Sequence, residues 1–131
     1  MENINLELLH YQIKLLNTMV ASTDNFNSHF FSFVIDHNIT ETQTKSIMQG
    51  LVLLKDRMRY GKISDEFKTL YSDSEVLKML DKNMPPSFSE FKQLVHTVIG
   101  EDISAEYLLK SLIMQGINID ICQALLDSKD K

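Results

Sequence analysis

A helix start, about five turns of helical patterning and a helix stop occur together between Thr40 and Tyr60, and this stretch constrains the rest of the chain. Thr40 and Gln43 form a Thr-x-x-Gln capping box, in which each side chain satisfies a backbone N–H orphaned by the first turn. A helix is therefore expected from Glu41. Thr44, Ile47, Leu51, Leu54 and Met58 recur at steps of three and four, which stacks them along one side of a rod about 28 Å long. Leu53 and Tyr60 fall on roughly the opposite side, and Gly50 between the rows leaves room for a neighbouring backbone. Two apolar sides imply a helix wedged between packing partners.

The remaining segments repeat that logic. From Asn5 onward, Leu6, Leu9, Ile13, Leu16 and Val20 follow a heptad rhythm, while Leu8, Leu15 and Met19 make a second apolar row beside it. Two heptads fall short of the three or four that argue for a coiled coil, so a bundle helix is expected ahead of the alternative, a dimerising zipper. Ser22, Thr23 and Asp24 offer N-caps for a second helix whose buried side carries Phe26, Phe30, Phe33 and Val34, with Phe31 facing elsewhere. The junctions Asn38-Ile39-Thr40, Gly61 to Ser64, Gly100 to Ser104 and Gly116-Ile117-Asn118 each close one helix and cap the next. At the two tightest, Schellman contacts are predicted between Ile39 and Val34 and between Ile117 and Leu112. Ser72 with Glu75, and Ser87 with Glu90, read as further capping boxes, and Pro85 and Pro86 mark the convincing loop. The tail from Asp127 is polar and expected to fray. The fold class is all-α: one compact multihelical domain, residues 1–131, of six to eight helices joined by short capped turns, with boundaries between Asp65 and Pro86 left open.

Composition narrows the functions. At 131 residues the chain can bury roughly two thirds of its unfolded surface without staples. Its single cysteine forbids an internal disulfide, and the first twenty residues lack the basic start and cleavage site of a leader, so a cytoplasmic protein is expected, or one of the host cytoplasm if the gene is phage-borne. No uncharged apolar run approaches the roughly 20 residues of a membrane span. A net charge of −5 disfavours nucleic-acid binding, which depends on clustered Lys and Arg. Scarce Ala, Gly, Pro and Arg beside plentiful Ile and Asn fit an AT-rich coding sequence, as in low-GC bacteria and their phages.

Chemistry-bearing residues form no catalytic pattern. His10, His29, His37 and His96 are scattered and make no His-Glu-x-x-His pair, so no metal or other cofactor is expected. Cys122 lies on an apolar helix side and reads as a packed thiol. Carboxylates sit singly on polar faces or in first turns, where they favour the helix dipole, and no enzyme is expected. Lys55, Arg57, Arg59 and Lys62, with Tyr60 among them, form the one dense basic cluster and the candidate polyanion contact. Cations at a helix C-terminus also serve as dipole complements. The helix from Asn118 has three aspartates and no arginine, unlike a recognition helix.

The order of features resembles the YhaI-like small proteins of Bacillus and related bacteria and phages, a family defined as a domain of unknown function. The resemblance rests on Tyr11-Gln12-Ile13-Lys14-Leu15-Leu16, on Phe31 through Ile35-Asp36 leading into Asn38-Ile39-Thr40, on Met48, and on Phe91 to Leu126 with Gln115-Gly116. Asn38 stands where that pattern has Gly, and the segment from Asp65 to Pro86 is longer here. It implies a small multihelical cytoplasmic protein that self-associates, with no catalytic residues to transfer. Taken together, the expectation is a non-enzymatic homodimer that binds another protein, as a regulator or a phage-encoded inhibitor of a host factor. The candidate interface is Leu8, Leu15, Met19, Phe31, Leu53 and Tyr60. The alternative is a nucleic-acid-associated regulator using Lys55 to Lys62.

Overall fold

The computed structural model describes residues 5–21 and 28–129, which form eight helices and no strand. They are α1 (Leu6–Ala21), α2 (His29–Asp36), α3 (Glu41–Tyr60), α4 (Asp65–Leu70), α5 (Glu75–Leu80), α6 (Phe88–Val98), α7 (Ala105–Gln115) and α8 (Ile119–Ser128). The caps expected at Ser22 to Asp24, and Phe26 with them, lie outside the described residues.

α3 is the axis of the bundle, and α5, α6 and α8 pack around it. α7 lies against both α2 and α8, and α6 touches α7 and α8, so one core runs through the molecule. Ile47, Leu51 and Leu54 from α3, Phe91, Leu94 and Val95 from α6, Leu108 and Leu112 from α7, and Ile121 and Leu125 from α8 are all buried in it. Leu53 is buried as well, so both apolar sides of α3 face partners within the same chain. At Gly50 the close neighbour is a side chain rather than a backbone: a Cβ there would lie 2.3 Å from Leu94 Cδ2.

Local chemistry explains where the helices begin and end. Both bonds of the capping box form, with Gln43 N donating to Thr40 Oγ1 at 3.1 Å and Thr40 N to Gln43 Oε1 at 2.9 Å. The Gln43 amide also donates to the Val98 carbonyl at 3.3 Å, tying the start of α3 to the end of α6. Ile39 N bonds Val34 O at 3.0 Å and Ile117 N bonds Leu112 O at 2.9 Å, the long Schellman bonds, around Asn38 at φ 53° and Gly116 at φ 82°. Ser64, Ser87 and Ser104 cap α4, α6 and α7.

Three expectations are corrected. The cap of α5 is Ser74, not Ser72: its hydroxyl accepts from Leu77 N while also receiving the Gln49 amide at 2.8 Å, a tertiary bond that places the cap two residues later. Asn118 takes a left-handed conformation, φ 49°, and its side chain makes no cap bond. Regular helix continues through Asp127 to Ser128 rather than giving way at Asp127, with Ser128 Oγ accepting from Phe88 N at 2.9 Å and donating to Leu125 O at 2.7 Å.

Candidate functional site

α1 is seated on the body by one face. Asn5 starts it by accepting from Leu8 N at 3.0 Å, and Leu15 is buried against the core. Gln12 Nε2 donates to Asn38 Oδ1 at 3.0 Å, Lys14 meets Glu41 at 3.5 Å, and half-buried Tyr11 pairs with Thr44. Burial raises the Tyr11 phenol above its ordinary pKa. Its main helical neighbour is α2. At 100° per residue these attachments centre nearly half a turn from the heptad row. Consequently Leu6, Leu9, Ile13, Leu16 and Val20 all face outward, with Leu6 74% and Val20 84% exposed.

This inverts the expected division of labour on the helix. The second row was assigned to an interface, yet Leu15 is buried and Leu8 and Met19 are half-buried against the chain itself. Leu53, 0% exposed, is a core residue and no interface. Phe31 is half-buried, its backbone N–H donating to Gln115 Oε1 at 3.0 Å. Of the six candidates only Tyr60 is exposed. The other large exposed hydrophobics, Leu70, Met84, Tyr107, Met114 and Ile119, sit singly at helix ends or in a loop. The outward row of α1 is the one extended apolar feature of the described surface.

The basic cluster also divides. Arg57, 1% exposed, is an internal residue: its guanidinium grips the Glu90 carboxylate bidentately, at 2.7 and 2.9 Å, and donates to the carbonyls of Leu80, Met84 and Pro85. It is therefore corrected from polyanion contact to structural anchor. Lys55 is half-buried, and Arg59 and Lys62 are exposed. Nearby, Asp56 is buried and accepts from Ser64 N at 2.6 Å, closing the junction after α3.

Among the described residues no three His, Cys, Asp or Glu side chains converge as ligands, and no buried polar side chain lacks a partner. Cys122 is buried, and desolvation pushes its thiol up to about 12. Two open clefts of about 550 and 540 Å³ flank α1 where it crosses α3, sharing Tyr11, Lys14 and Glu41. Comparison with protein-family models, with curated proteins and with solved structures finds no match for the chain. No helix of the described residues is long and apolar enough to cross a membrane.

Two features escaped the sequence reading. The outward face of α1 was ambiguous because both apolar rows fit a buried stripe. Its three-four spacing was the available signal, since a strict heptad row describes a seam between helices better than a broad core contact. Glu90 was read only as a capping residue, and nothing local links it to Arg57, 33 residues earlier.

Proposed function

We propose that the protein is a non-enzymatic helical interaction module that self-associates through the outward row of α1. A single observation carries this: five aliphatic side chains at heptad spacing face solvent on a helix whose other side is already docked. Apolar patches of this kind, bordered by polar residues, mark protein contact sites. The YhaI-like resemblance points the same way, and a second protein partner, in the manner of a regulator or a phage-encoded inhibitor, is part of this reading.

The test is molar mass by light scattering. The parent chain should exceed its 15.1 kDa monomer mass at concentrations of about 100 µM and approach it on dilution. Leu9→Glu and Ile13→Glu should give monomers with unchanged helical circular dichroism. A parent that stays monomeric throughout would overturn the reading. Leu53→Glu is unsuitable for this purpose, because a charge placed at that buried site would unfold the core. Binding of nucleic acid through Lys55, Arg59 and Lys62 is the weaker reading, with Arg57 committed inside the fold and three cations left against a net charge of −5.

A further inference from the structure

We infer that α1 pairs with α1 of a second copy as a parallel, in-register, two-stranded coil in which Leu9 and Leu16 each meet their own counterparts. The inference rests on the self-association reading and adds partner geometry to it. Three observations carry it.

The first is the make-up of the seam. Leu6, Ile13 and Val20 occupy the a positions and Leu9 and Leu16 the d positions, all outward. Two of the three a residues, Ile13 and Val20, are β-branched, and β-branched residues at a with Leu at d favour two strands in parallel coils.

The second is charge. The positions flanking the seam are Asn5, His10, Gln12, Asn17 and Met19, with no Asp, Glu, Lys or Arg among them. The chain carries a net −5, yet two identical copies can meet along this edge without opposing like charges.

The third is where the body hangs. Of the g positions, Gln12 is tied to the rest of the chain through Asn38 and Met19 is half-buried, while Asn5 at the helix start is exposed. His10 and Asn17, at the e positions, are exposed. In an antiparallel pair g faces g, which would crowd two acidic bodies onto one side of the seam. In a parallel pair g faces e, so each body lies beside the free edge of the other helix.

The seam is short, about 21 Å from Leu6 to Val20. An isolated peptide of that length would be marginally helical. Here the docked face holds α1 in shape beforehand, so pairing does not carry that ordering cost. A contact this small belongs with weak, concentration-dependent interfaces.

Single cysteines distinguish the arrangements. In a parallel register, Leu16→Cys brings two thiols within the roughly 4.4–6.8 Å Cα separation that a disulfide accepts. In antiparallel layers a faces d, so Leu16→Cys alone would not join, whereas a mixture of Leu16→Cys with Ile13→Cys or with Leu6→Cys, according to register, would give the mixed dimer. Native Cys122 is buried and does not compete. In oxidised glutathione at about 100 µM protein, Leu16→Cys should form covalent dimer at least ~10-fold faster than Leu70→Cys, an exposed control on α4. Dimer mass with joining only in the mixture would overturn the parallel register and leave self-association standing. Dimer mass with no joining in any sample would place the contact elsewhere and overturn the inference. Monomer mass in the parent would remove both readings.

Discussion

Arg57 carries more of the fold than any other polar side chain described. A fully buried guanidinium is tolerable only when every donor is used, and here Glu90 and three loop carbonyls use them. Arg57→Met should cost about 3 to 5 kcal/mol, since it leaves the mostly buried Glu90 carboxylate with only the more distant Lys82, 4.0 Å away, and strips three loop carbonyls of their donor. Adding Glu90→Leu should recover part of that loss, and urea unfolding of the single and double variants checks it. Cys122 supplies a second expectation. Its thiol ionises near 9.0 in an unfolded chain and at about 12 in the fold, so the folded state is favoured fully below 9. Stability should then fall as pH rises from 9 towards 12, and the raised Tyr11 phenol acts in the same direction above 10.0. The urea midpoint should drop between pH 8 and about 10.5, and drop less in Cys122→Ala. At pH 8 the native thiol should resist alkylation that the unfolded chain undergoes within minutes.

At the scale of the elements, capping decides the boundaries, and Gly116 is the sharpest case. Its φ of 82° penalises any β-carbon, while nothing lies within 4 Å of where one would sit. Gly116→Val should therefore cost roughly 1 to 2 kcal/mol through the backbone alone. Urea titration against exposed Lys92→Ala measures it; Ser128 would be a poor control, being bonded to Phe88 and Leu125. The ends of α3 were legible because the capping box, the helical pattern and Gly61 all lie within one short stretch. The start of α5 was not, because Ser72 and Ser74 both precede plausible first turns and only the bond from Gln49, 25 residues away, separates them. The faces of α1 were illegible for a related reason. Periodicity reports that an apolar row exists, and which row meets the body depends on Asn38, Glu41 and Thr44, which no local pattern ties to α1.

For the whole molecule, the all-α class followed from short capped junctions and 3.6-residue patterning, and the eight described helices, with α5, α6 and α8 packed on α3, realise it. Function was less legible than fold because packing and capping residues repeat across helical proteins whatever they bind. The clamp on Arg57 also bears on how the chain meets proteases. Residues 81–85 are exposed and include Lys82, which by accessibility alone is a natural trypsin site. A protease must draw its target into an extended strand, and here the carbonyls of Leu80, Met84 and Pro85 are held by one buried side chain. The native protein should therefore survive brief trypsin treatment uncut after Lys82, while Arg57→Met is nicked there first, as mass spectrometry of the fragments would show. Surface exposure and susceptibility to cutting thus part company at this loop, and a digestion map would trace the reach of a single guanidinium.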